Sequence, residues 1–72
     1  MVEVFITDVC KKKAAAQLSN ILFNAFPSYK ISFDLEDKDK ILRVESICND
    51  IESGHIIDLL KKNGHYCEIL NQ

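Results

Sequence analysis

Alternation opens the chain. From Met1 to Thr7, Val2, Val4 and Ile6 fall on one face of an extended segment and Glu3, Phe5 and Thr7 on the other, the period-two pattern of a half-buried strand. The valine and isoleucine set is expected to face the core. The period then changes. Ala14, Leu18, Ile21, Leu22 and Ala25 recur at helical spacing, with Asp8 available as a cap and Pro27 as the stop, because proline has no N–H to continue the ladder. Alternation returns from Tyr29 to Leu35, with Ile31, Phe33 and Leu35 on one side. It resumes from Ile41 to Glu45 with Leu42 and Val44 inward. The charged segment Glu36-Asp37-Lys38-Asp39-Lys40 between them makes the pair a hairpin. Asn49-Asp50-Ile51-Glu52 has the spacing of a capping box and opens a second helix with Ile56, Leu59 and Leu60 inward. That helix ends at Asn63-Gly64 after Lys61 and Lys62, which suit its C-terminal dipole. Tyr66 to Leu70 is a last strand with Cys67 and Ile69 inward.

Strand, helix, strand, strand, helix, strand, joined by right-handed crossovers, predicts an α+β ferredoxin-like βαββαβ sandwich. Its antiparallel sheet has strand order 4-1-3-2, and both helices lie on one face. In that topology the first strand ends where the second helix ends, the fourth strand begins and the hairpin turns. Cys10, Lys11, Lys12, Lys13, Lys61, Lys62, His65 and the 36–40 turn are therefore expected at one pole, and Cys48 at the other. The open sheet face is expected to show Glu3, Phe5, Thr7, Lys30, Ser32, Asp34, Ile41, Arg43, Glu45 and Tyr66.

The 72 residues are read as one domain, residues 1–72, with a thin core and little room for a buried active site. Nine basic against eleven acidic side chains give a net charge of −2, which does not favour nucleic acid as a partner. Single-strand RNA binding on such a sheet needs stacked aromatics among basic residues, and Phe5 beside carboxylates does not supply them. No apolar run approaches the ~20 residues of a membrane span, so no membrane partner is expected. The start also lacks the basic and apolar segments of a secretory signal. Cysteines at 10, 48 and 67 make no disulfide framework, and cytoplasm is the expected location.

Cys10 is placed in the first turn of the first helix among lysines, where amide groups and cations favour a thiolate. It can serve as a soft-metal ligand or a reactive thiol; the plainer reading is a small, partly buried loop residue. Lys11, Lys12 and Lys13 oppose the helix dipole, which marks them either as a receiver for an anion or acidic protein face or as a solvated run. His65 would join Cys10 as a second donor of mixed softness for Cu(I) or Zn(II), short of zinc's usual four, or is an ordinary loop residue. His55 reads as a helix-flank residue and Cys67 as a buried structural thiol. There is no Gly-rich phosphate loop, no paired zinc motif and no Cys-x-x-Cys, so binding and not catalysis is the expected role.

The opening strand into Cys10, the helix ending Ala25-Phe26-Pro27, the strand Ile31-Ser32-Phe33-Asp34-Leu35 and the ending Ile56-Ile57-Asp58-Leu59-Leu60-Lys61-Lys62-Asn63-Gly64-His65-Tyr66 together resemble the heavy-metal-associated domain family. This is the family of the small modules of copper chaperones and metal-transporting ATPases. The resemblance implies a metal loop between the first strand and first helix, built as Met-x-Cys-x-x-Cys. Here Cys10 matches the first cysteine, Lys13 stands at the second and Asp8 at the methionine; alignment through Pro27 instead sets the pair at Lys12 and Ala15. The loop is degenerate either way. Three roles follow as expectations: weak or shared soft-metal binding through Cys10, with His65 or a second chain in a homodimer; a metal-free module in which Lys11, Lys12, Lys13, Lys61 and Lys62 dock an acidic protein or small anion; and a redox-reactive thiol.

Overall fold

The computed structural model describes residues 1–47 and 50–70. In chain order they form β1 (Val2–Thr7), α1 (Lys12–Ala25), β2 (Lys30–Asp34), β3 (Ile41–Glu45), α2 (Ser53–Lys62) and β4 (Cys67–Ile69). The strands make one antiparallel sheet in the order β2-β3-β1-β4, which is 4-1-3-2 read from the other edge. Ala15, Leu18 and Leu22 of α1 and Ile56 and Leu60 of α2 enter a common core with Phe5, Leu42, Val44 and Cys67 of the sheet. The fold is ferredoxin-like.

Each helix stops for a local reason. The Phe26 N–H still bonds to the Leu22 carbonyl at 2.8 Å, and Pro27 then ends α1. Gly64 takes φ +82°, the left-handed region that glycine enters without steric cost. There its N–H bonds to the Lys61 carbonyl at 3.0 Å and the His65 N–H to that of Leu60 at 2.9 Å, the paired bonds of a Schellman motif. The start of α2 is built differently from the capping box the sequence suggests. Its first residue is Ser53, and Glu52 flanks it with no side-chain cap; Asn49 lies outside the described residues. The buried Tyr29 hydroxyl accepts the Glu52 N–H and donates to the Asp50 carbonyl, both at 3.0 Å. Phe26 stacks on the Tyr29 ring with centroids 5.0 Å apart, so a distant aromatic pair stands where a local cap was expected.

The face of β1 is the main correction. Phe5 and Thr7 are buried, at 0% and 5% exposure, while Val2 is 57% exposed and Val4 and Ile6 are only half-buried. Register is the cause. Phe5 lies opposite Leu42 of β3 and Ile69 of β4, and Leu42 lies opposite Phe33 of β2. One cross-strand row thus carries the largest apolar side chains toward the helices. Strand β1 has apolar residues at both parities, so alternation alone could not choose between them.

The other strands keep the expected faces. Leu42, Val44 and Cys67 are buried, and Ile31, Phe33 and Ile69 pack against the core. In α1 the stripe holds at Leu18 and Leu22, with Ile21 packed against the core, but Ala15 is buried, Ala14 is at the margin and Ala25 is exposed.

Candidate functional site

Thr7 organises the pole where β1 ends. Its hydroxyl donates to the Lys40 carbonyl at 2.7 Å and accepts the Val9 N–H at 3.1 Å. Its own N–H reaches the Asp39 and Lys40 carbonyls at 3.3 and 3.2 Å. The β1–α1 loop and the β2–β3 turn are thereby tied together. Within that turn, Asp34 Oδ1 accepts the Glu36 and Asp37 N–H groups at 3.2 and 3.3 Å, and Asp37 Oδ1 accepts that of Asp39 at 2.8 Å. These short-range bonds let acidic side chains replace backbone partners. Lys40 then takes φ 51°, and its ammonium donates to the Leu35 carbonyl at 3.0 Å.

Asp8 does not cap α1. Its Oδ1 lies 3.0 Å from His65 Nδ1, which ties the β1–α1 loop to the loop that the Schellman motif delivers after α2. The next residue, Val9, is fully buried, and Cys10 is exposed. The loop buries Val9 and leaves Asp8 and Cys10 exposed on either side of it. The first turn of α1 does not contain Cys10, since the helix starts at Lys12 after an extended Lys11. The plainer reading of Cys10 as partly buried is likewise corrected. Topology explains the Asp8–His65 contact: β1 and β4 are sheet neighbours, with Thr7 opposite Cys67, so the residues just beyond each strand meet. The sequence cue was the position of both residues next to predicted strand ends.

Lys11, Lys12 and Lys13 open α1, which has no side-chain cap and no acidic residue in its first turn. Lys61 and Lys62 occupy the last turn of α2. Among the described residues no carboxylate stands within ion-pairing distance of these five ammonium groups. Acidic side chains share the pole nonetheless, and Lys12 lines a shallow depression with Asp34 and Glu36.

Cys67 is 2% exposed, and burial pushes its thiol up to about 11, with Lys61 opposing the shift and Asp8 and Glu68 adding to it. Such a thiol is a poor nucleophile. His55 is exposed on the flank of α2, 3.5 Å from Glu52 and over the Phe26 ring. Cys48 lies outside the described residues.

Cys10 lies on the β1–α1 loop that Asp8 ties to His65, and no group of three or more His, Cys, Asp or Glu side chains is placed to share an ion among the described residues. The two-thiolate loop of heavy-metal-associated domains does not fit here, because the segment between β1 and α1 holds one cysteine, Cys10, and no Cys-x-x-Cys pair. No family model, no curated protein sequence and no solved structure matches this chain. Among the described residues no helix is long and apolar enough to cross a membrane.

Proposed function

We propose that this chain is a small binding module, similar in scaffold to heavy-metal-associated domains, that takes one soft metal ion at the Cys10 and His65 corner. The observation that carries the reading is the Asp8 carboxylate on His65 Nδ1. In the neutral ring a carboxylate there favours the tautomer with its proton on Nδ1, which leaves the Nε2 lone pair free and fixes the ring's orientation. Metal-binding histidines commonly have this support. The exposed Cys10 thiol supplies the soft second donor, and thiolate favours Cu(I). Zn(II) would need two further ligands, from water or a second chain. The metal is cargo here and no catalytic step is assigned. Free thiols at Cys10 and Cys67 accord with a reducing cytoplasm.

Anaerobic titration of the reduced protein with Cu(I) against a competing chelator tests this. Wild type is expected to hold up to one equivalent, Cys10→Ala none, and Asp8→Ala about 10- to 100-fold less tightly. Equal competition by wild type and Cys10→Ala would end the proposal.

That no carboxylate pairs with Lys11, Lys12, Lys13, Lys61 or Lys62 among the described residues favours a second reading, docking of an acidic protein face or small anion without metal. Binding of that kind weakens steeply with salt and with Lys12→Glu, and ignores Cys10→Ala. Partner binding indifferent to salt would dismiss it.

A further inference from the structure

The outer strands of the sheet are β2 and β4, and they differ as edges. Strand β4 is short, Cys67–Ile69. Strand β2 pairs with β3 without a bulge along all of Lys30–Asp34 and holds no proline there. Among the described residues no further strand covers its outer side, and such an edge is a template for another strand. Its side chains read Lys, Ile, Ser, Phe, Asp, an order complementary to its own reverse. A cation and an anion close the ends, apolar residues lie inside them and a serine stands at the centre. Lys30, Ser32 and Asp34 are exposed, and Ile31, Phe33 and Leu35 are only half-buried at this margin of the core.

Over the same edge, α1 carries a second stripe that the core does not use. Ala15, Leu18 and Leu22 are its buried residues, and Ala25 borders a hollow with Asp50 and Glu52, on the side of α2. The opposite flank holds Lys12, Ala16, Ser19 and Phe23, at helical spacings. Lys12 lines a depression with Phe33, Leu35 and Glu36 at the end of β2, so this flank overhangs the outer side of β2. Phe23 is 56% exposed on it, a large apolar side chain among small and polar ones.

We propose that a second copy of this chain extends the sheet along β2, antiparallel, about a two-fold axis normal to the sheet at Ser32. Lys30 then lies opposite Asp34 of the other copy, twice. Ile31 lies opposite Phe33, twice, and Ser32 meets Ser32. Just beyond the strand, Tyr29 falls opposite Leu35 and Ser28 opposite Glu36. No like charges become cross-strand neighbours: Lys30 gains Asp34 of the mate on one side and keeps Glu45 of its own β3 on the other. Arg43, beside Ser32, stays three strand spacings from its counterpart, roughly 14 Å. The same axis continues the helix layer. Two helices cover four strands, so the mate's α1 follows at ~10 Å, the distance of packed helices. It runs antiparallel, bringing Phe23 of each copy toward Ala16 of the other. Lys12 and Lys13, the charged residues of α1, are held at opposite ends of that seam.

Charge placement sets the other edge pairings aside. Strand β4 on β4 about its middle residue brings Glu68 against Glu68. Strand β4 on a neighbour's β2, with the rows continued, sets Glu68 beside Asp34, because these two end one cross-strand row. Moving the β2 axis to Lys30 or Asp34 pairs each with itself, and moving it to Ile31 or Phe33 shortens the strand overlap and parts Lys30 from Asp34. The contact at Ser32 is isologous and closes at two copies. About 17 Å long and two layers deep, roughly 20 Å, it is smaller than the ~800 Å² per partner of a standard interface, so the dimer depends on concentration. It lies across the sheet from β4 and the His65 loop, and its test reads nothing of metal binding.

That test is translational diffusion measured by NMR from about 10 µM to 1 mM, the range in which such a contact forms. Wild type is expected to slow with concentration toward the dimer value. Lys30→Glu and Asp34→Lys should each weaken association about tenfold through two like-charge contacts, and the double variant K30E/D34K should restore it. Lys30 and Asp34 are about 13 Å apart along one strand, so rescue can arise only between copies. Within the chain the two changes do not compensate each other: K30E faces Glu45, and D34K loses the bonds from the Glu36 and Asp37 N–H groups. Phe23→Glu, at an exposed site, should also weaken association about tenfold or more by setting a charge in the helix seam. A monomer at every concentration would overturn the proposal. So would a dimer that both single charge reversals or Phe23→Glu leave intact, or a double variant no tighter than the singles.

Discussion

At the scale of single residues, burial makes the two described thiols different reagents. Cys10 stands in solvent, whereas Cys67 is enclosed between β1 and the helices with its ionisation pushed up to about 11. The folded chain holds the Cys67 proton after the unfolded chain has released it, so the contribution is full below the unfolded thiol's titration range. It declines as pH rises through about 9 to 11. Across that window the wild type should lose about 2 kcal/mol more stability than Cys67→Ala, if the whole shift is realised. Urea unfolding at intervals of pH measures the difference, and parallel curves would show that burial does not hold the proton. Asp8 is a second residue whose role was not legible in advance. A carboxylate after a strand and before a helix reads as a cap, but its partner His65 comes from 57 residues away.

At the scale of elements, the helix stops were the plainest part of the sequence. Pro27 and Gly64 act through their own backbone chemistry, and both stops were predicted to within a residue. The glycines make a contrast that can be measured. No atom stands within 4 Å of a Cβ built on either Gly64 or Gly54, so space is not at issue at either site. Gly64→Ala must still hold a left-handed backbone and is expected to cost about 1–2 kcal/mol. Gly54→Ala, in the first turn of α2 with no such φ, is expected to be neutral or to stabilise by up to about 1 kcal/mol. Thermal unfolding of the two variants decides it; equal losses would contradict the Schellman geometry. Helix starts were less legible than stops. Of the two candidate caps, Asp8 meets a partner, His65, that becomes available only once the sheet is in place, and Asn49 lies outside the described residues; the Tyr29 hydroxyl takes the Glu52 N–H ahead of α2.

At the scale of the molecule, Phe5 is the residue on which the layers meet. It joins the row of Leu42, Phe33 and Ile69 under the two helices. Phe5→Ala should cost about 3–5 kcal/mol, comparable with the whole stability of a domain this small. Val4→Ala, on the opposite face, should cost about 1 kcal/mol when measured in dilute solution. Circular dichroism during urea titration ranks them, and the reverse ranking would return β1 to the face its alternation suggested. The order of elements, the hairpin, the sheet order and the meeting of the β1–α1 and α2–β4 loops at one pole followed from the sequence alone, because period, proline, glycine and crossover handedness act locally or through connectivity. The face of β1, the exposure of Cys10 outside the helix, and the Asp8–His65 contact were decided only by tertiary structure. Each depends on which side chains from distant segments compete for the same space or the same hydrogen bond. A strand apolar at both parities, or a carboxylate with two available partners, carries no record of that competition in its own neighbourhood.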